Sequence, residues 1–161
     1  MKKYAGIGLA VVAVVLGLTL WSNQGSRLIL KGTIQKVRVQ RIDEKNTAAI
    51  VEFRLDNPAD FPFTVKTVEL VLEGEKGAKS PGEVFRQSDV GRFFDYYKAT
   101  LGQQYNRSVS IGETYAPHTM SDRMVAATFP VSEAELAMRK GLAIRLEASN
   151  GLVPTEIAEK R

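Results

Sequence analysis

Residues 51–72 read VEFRLDNPADFPFTVKTVELVL, from Val51 to Leu72. In the first part Val51, Phe53 and Leu55 alternate with Glu52, Arg54 and Asp56. In the last part Val68, Leu70 and Leu72 alternate with Glu69 and Glu73. A period of two predicts two strands, each with one face buried and one face in solvent, so Glu52 and Asp56 are expected to point to water. Between them Pro58 lacks an N–H and pushes Asn57 out of helical angles, so the first strand must stop there. The Asn57 side chain can hydrogen-bond the backbone of its own turn. Phe61 and Phe63 are then placed to cover the end of the fold.

The same alternation recurs on both sides. Val37 and Val39 alternate with Arg38 and Gln40, predicting a strand over 33–42, and Ala49 extends the strand of Val51. Val125, Ala127, Phe129 and Val131 mark one face of a later strand, and Leu142, Ile144 and Leu146 one face of another. Repeated this often, the pattern predicts an all-β domain over residues 30–158. It would be an Ig- or fibronectin-like antiparallel β-sandwich of about seven strands with one or two short helices. Ser132-Glu133-Ala134-Glu135 is a capping box. Arg139 and Lys140 would then occupy the last turn of that helix, with Gly141 as a left-handed C-cap. A second helix is expected to begin near Ser88 or Asp89 and run through Tyr97. It lies in a helical insertion over about 75–113, in a segment rich in Gly, Ser and Gln.

Ahead of the domain, residues 4–21 contain no charged side chain. Eighteen residues at helical rise cover about 27 Å, close to the hydrocarbon thickness of a bilayer. Lys2 and Lys3 before the run and Trp21 at its exit match the charged flank and aromatic belt of a membrane span. Residues 1–22 are therefore read as a single-pass transmembrane anchor contacting lipid through 4–21, and residues 23–29 as a spacer. A cleaved signal peptide is the rival, but the run exits through Leu18-Thr19-Leu20-Trp21, without a small-x-small site. Lys2 and Lys3 place the N-terminus inside and the β-domain on the extracytoplasmic side, periplasmic or cell-surface. The bases Arg27, Lys31, Lys36, Arg38 and Arg41 pull the other way, or sit against anionic head groups, or are the solvated face of a strand.

Composition narrows the chemistry. Cysteine is absent, which removes disulfides, thiolate metal sites and Cys nucleophiles. Of the net charge of +4, Lys2 and Lys3 account for two, leaving a domain too weakly basic to point to nucleic acid. His118 is the single histidine. A relay with Ser121 and Asp122 can be drawn, but triads are assembled from separate elements rather than from neighbours on one loop. Glu52, Asp56 and Asp60 do not have the regular spacing of a calcium loop. The reading contains no catalytic residue, no metal or cofactor site and no small-molecule substrate.

The stretch 51–72 resembles the signature of the water-stress and hypersensitive-response domain, the group 2 late embryogenesis abundant family. Asn57, Pro58 and Gly74 match its strand, Asn-Pro turn and second strand ending in Gly. The stretch YAPHTMSDRMVAATFPV, from Tyr115 to Val131, is similar to the family's proline-led entry into a strand, opened by Pro117. The resemblance covers roughly residues 30–149, and its specific part is the Asn57-Pro58 turn. It departs from the family in the length of the segment from Gly74 to Thr114. It implies a non-enzymatic, fibronectin-like sandwich, membrane-tethered in bacteria and linked to stress protection.

Phe93, Phe94, Tyr96 and Tyr97 form the most distinctive cluster. Phe93, Tyr96 and Tyr97 share one helix face by their spacing, while Phe94 points elsewhere. That face either docks on the sandwich as a lid or forms a partner-binding surface. The expected function is a non-enzymatic, membrane-anchored binding or protective module, placed in envelope stress by the resemblance. The alternative is an accessory subunit of a membrane assembly, docking a protein partner through the anchor and the aromatic insertion.

Overall fold

β2 (Thr47–Asn57) and β7 (Thr119–Phe129) pair over their whole lengths and form the centre of one sheet. β1 (Lys31–Arg41) flanks β2, and the two-residue β5 (Glu83–Val84) flanks β7, giving the order β1-β2-β7-β5. The second sheet runs β4 (Lys79–Pro81), β3 (Phe63–Glu73), β8 (Gly141–Ala148) and β9 (Thr155–Ala158), with β6 (Thr114–Tyr115) also on β3. Every pairing between these strands is antiparallel. Three short helices complete the fold: α1 (Gln87–Tyr96), α2 (Lys98–Leu101) and α3 (Glu133–Ala137). This computed structural model describes residues 30–149 and 154–159. The anchor 1–22 and spacer 23–29 lie outside the described residues. Among the described residues no helix is long and apolar enough to cross a membrane.

The two sheets face each other across one apolar layer, so the domain is a β-sandwich. Val51, Phe53 and Leu55 of β2 and Val125, Ala127 and Phe129 of β7 meet Leu70 and Leu72 of β3 and Leu142, Ile144 and Leu146 of β8. None of these is more than 4 % exposed. Burying one such side chain contributes about 1.5–3 kcal/mol before the entropy of ordering it is counted. The inward faces are those the period-two pattern predicts.

Several boundaries differ from expectation. Nine strands are present among the described residues rather than about seven, because the long segment supplies the short β4, β5 and β6. β1 is Lys31–Arg41, with a register shift between Ile34 and Lys36. β7 stops at Phe129, ahead of Pro130, so Val131 lies past its end. The Ser132–Glu135 capping box is present. The helix it opens is nevertheless shorter than expected, and Gly141 is not its C-cap. The Arg139 side chain is drawn to Glu159 and the Lys140 N–H donates to the Glu73 carbonyl, so Gly141 already begins β8.

Gly82 marks the crossing from β4 in one sheet to β5 in the other. Its N–H donates to Leu70 O at 2.8 Å. A Cβ there would lie 2.7 Å from two ring carbons of the buried Phe129. Only a residue without a side chain lets the backbone pass this close.

Candidate functional site

The outer face of the β1-β2-β7-β5 sheet is not a solvent face over its whole length. Ala48 and Ile50 of β2 and Met124 and Ala126 of β7 form a second apolar layer there. Val90 and Phe94 of α1 and Leu101 of α2 cover it, with Phe85, Phe93 and Tyr97 around them. The small Ala48 and Ala126 let a helix lie close to the sheet. The insertion is fastened at both ends to β7. The Phe85 N–H donates to Ala126 O at 2.9 Å, and the Val109 N–H to Met124 O at 2.9 Å.

Arg38 ties the lid to β1. Its Nη1 donates to Leu101 O and to Gln103 O, both at 2.8 Å, and so satisfies carbonyls left over at the end of α2. Its Nη2 pairs with Glu52 Oε1. The guanidinium lies 4.8 Å from the Phe94 ring centroid and 5.5 Å from that of Tyr105. The Arg38 and Glu52 side chains are 10 % and 8 % exposed. Two expectations are thereby corrected. Glu52 does not face water, and Arg38 is neither a head-group contact nor part of a solvated face, because a distant segment folds over both. A packed cation over an aromatic face in a desolvated site is a stabilising contact.

The aromatic cluster divides between the two roles left open by the sequence. Phe94 is buried, at 4 % exposure, on the inner side of the lid with Val90. Phe93 and Tyr97 are half-buried, and Tyr96 is 82 % exposed. A ladder of rings runs outward through Phe85, Phe93, Tyr97 and Tyr96, with successive centroids 4.9, 4.8 and 4.7 Å apart. Arg86, Arg92 and Lys98 are exposed around it. Phe85, which the sequence already sets near the cluster, joins it through its ring contact with Phe93. Its position in an apolar pair, Val84-Phe85, just before the helix start is the signal that finds it.

The Asn57–Pro58 turn is a structural lock. Asn57 is fully buried. Its Nδ2 donates to Phe61 O, Tyr115 O and Ala116 O at 3.1, 3.2 and 3.1 Å, and its Oδ1 accepts from the Ala59 N–H at 3.2 Å. One side chain therefore joins the β2–β3 turn to the β6–β7 connection, while the adjacent Pro58 is exposed.

The residues of the drawn relay take separate partners. His118 Nε2 lies 2.9 Å from Asp60 Oδ1 on an exposed turn, with His118 at a φ of 54°. Asp122 receives two hydrogen bonds from Arg54, at 2.7 and 2.9 Å. Those bonds, with a further one from Gln35, hold its carboxyl below the usual range. Ser121 pairs with Leu55 and Asp122 with Arg54, so the two fall on opposite faces of β7. In the interior, Tyr115 has its hydroxyl pushed up by burial. It stacks under the Arg123 guanidinium, 5.4 Å from its ring centroid. Among the described residues no three His, Asp or Glu side chains gather as a metal-binding group.

Compared with protein-family models, curated proteins and solved structures, the chain gives no match in any of the three.

Proposed function

We propose that this chain is a non-enzymatic binding or protective module. In this reading residues 4–21 hold it at a membrane as a single pass, with the β-domain on the extracytoplasmic side. The observation that carries the reading is the ring ladder ending at Tyr96, which is 82 % exposed while the lid beneath it is clamped by Arg38. A large aromatic side chain left in water on a fastened platform is the kind of surface that anchors a partner. The facing antiparallel sheets support the finer reading of an Ig- or fibronectin-like sandwich. The buried Asn57 lock supports the resemblance to the water-stress and hypersensitive-response domain, and with it a role in envelope stress. The ladder also favours a second reading, an accessory subunit of a membrane assembly, because a docking face on a lid suits a permanent neighbour.

A photo-crosslinking residue at position 96 of the full-length chain, in intact cells, tests the binding role. The expected result is a discrete protein adduct that the same probe at Lys76, on the exposed turn before β4, does not give. Identical adduct patterns at the two positions would sink it. Extraction of the full-length chain from membranes by alkaline carbonate would remove the anchored part of the reading.

A further inference from the structure

β1 is the long open edge of this sandwich. The other edge strands are β5, β4 and β9, with two, three and four residues, whereas β1 has eleven. Beyond β5 the edge of β7 is occupied by the Val109 N–H and the Arg107 carbonyl, which both bond Met124. Among the described residues no strand pairs with the side of β1 opposite β2. β9 runs close to β1 without pairing with it, and Gly32 lies against Ile157. Between the two edges lies a cleft of about 340 Å³, bordered by residues 32–37 and by Arg139, Ala158 and Glu159, with Arg139 and Glu159 paired to each other.

The side chains of β1 sort by face. Lys31, Lys36 and Arg38 stand opposite Asp56, Glu52 and Ile50, all on the outer face. Ile34, Val37 and Val39 stand opposite Phe53, Val51 and Ala49 on the core face. Those β2 partners are fully buried, whereas Ile34, Val37 and Val39 remain half-buried. The core layer is thus one strand short of full cover along this edge.

We propose that the open edge of β1 binds an extended segment of a partner protein in which acidic and apolar residues alternate, by addition of one strand to the sheet. Main-chain hydrogen bonds would supply the pairing and alternate side chains the selectivity. Apolar residues of the added strand would cover Ile34, Val37 and Val39, and its acids would face Lys31 and Lys36, which are exposed. A second copy of β1 is the wrong occupant. The symmetric antiparallel pairing centred on Lys36 would set Lys36 against Lys36 and Lys31 against Arg41, and like charges directly opposite are destabilising. The same bases guard the edge against self-association and select an acidic strand. This surface is separate from the Tyr96 ladder, so the proposal stands or falls independently of the function proposed above.

The test uses the full-length chain in non-ionic micelles, with empty micelles as the blank, and a fluorescent peptide of about nine residues alternating Val and Glu, a typical strand length. Saturable binding is expected, with slowed amide exchange along β1. Exchanging Glu for Lys in the peptide should weaken binding about tenfold or more, because like charges then meet across the ladder. Methylating alternate backbone nitrogens of the Glu peptide, which leaves its charge intact and the protein untouched, should abolish it. Lys31→Gln with Lys36→Gln should weaken it roughly fivefold without shifting the melting temperature. Equal binding of the methylated peptide, absence of saturation, or protection away from β1 would each overturn the proposal. So would a peptide-independent dimer with slowed amide exchange along β1.

Discussion

The guanidinium of Arg38 lies 4.8 Å from the centroid of the Phe94 ring, with Glu52 on one side and the carbonyls of Leu101 and Gln103 on the other. One side chain of the edge strand β1 thus closes a segment by bonding carbonyls 63 and 65 positions later in the chain. Removing Arg38 should leave the Glu52 carboxylate buried without its cation. Arg38→Ala is expected to cost about 3–5 kcal/mol in urea unfolding. The double change Arg38→Leu with Glu52→Leu should recover part of this. A residual loss of about 1–3 kcal/mol should remain, because the two carbonyls still lack their donor. A single-variant loss under about 1 kcal/mol, the size of an exposed pair, would show that the pair is not desolvated in solution.

Phe94 and Tyr96 are two positions apart and do opposite things. Phe94→Ala opens a cavity under the lid and is expected to cost about 3–5 kcal/mol. Tyr96→Ala removes a ring that is 82 % exposed, and should stay within about 0.5 kcal/mol of the parent. Thermal unfolding of the two variants separates them. Comparable losses would mean that Tyr96 packs against the body of the domain and is no docking group.

Asn57 serves three carbonyls and one amide at the junction of two connections. Asn57→Ala should cost about 1–3 kcal/mol, since a fully buried amide and its hydrogen bonds to Phe61 O, Tyr115 O and Ala116 O are lost together. Asn57→Asp, nearly the same shape, should be at least as damaging at neutral pH because a carboxylate would face carbonyl oxygens. It should regain stability as the pH is lowered, because the protonated acid can donate. Urea midpoints across pH read both effects, and a pH-independent loss for Asn57→Asp would contradict the donor role.

Asp122 gives a second pH signature. Hydrogen bonds from Arg54 hold its carboxyl below the usual range. A group whose pKa is lower in the folded chain stabilises that chain above its unfolded pKa, and this contribution is lost as the pH falls through the folded value. The pair is largely exposed, so its effect on overall stability is small. The direct measurement is the carboxyl titration followed by NMR. The midpoint of Asp122 is expected below ordinary aspartates, and Arg54→Gln should move it upward. No movement in that variant would assign the lowering to another source.

Much of the sandwich can be read from alternation because its core-facing positions are set locally. Val51, Phe53 and Leu55, or Leu142, Ile144 and Leu146, declare their side by their neighbours alone. The Ser132–Glu135 box and the Asn57 turn are legible for the same reason, since their chemistry acts over a few residues. The outer face of β2 is different. Glu52 looks solvated beside Arg54 and Asp56, and only the insertion, closing from residues 85–109, buries it. Its trace in sequence is the unbroken apolar run Ala48-Ala49-Ile50-Val51, which a strand with one wet face does not need. The helix after Ser132 ends early for a similar reason, because Glu159, far downstream, claims Arg139. Within the aromatic cluster, spacing grouped Phe93 with Tyr96 and Tyr97. The buried side instead falls on Val90 and Phe94, one turn apart, and no local rule chooses between those faces.

The two feet of the insertion stand on neighbouring places of a single strand, Phe85 on Ala126 and Val109 on Met124. A loop whose ends already meet costs little more to close when it is lengthened, since the entropy grows only with the logarithm of its size. The sandwich beneath therefore works as a socket. Residues 86–106 are a cartridge whose solvent side can be lengthened or redecorated, provided that Val90, Phe94 and Leu101 still cover the sheet and the Leu101 and Gln103 carbonyls still meet Arg38. A scaffold of this kind can acquire a new partner by rewriting its cartridge alone.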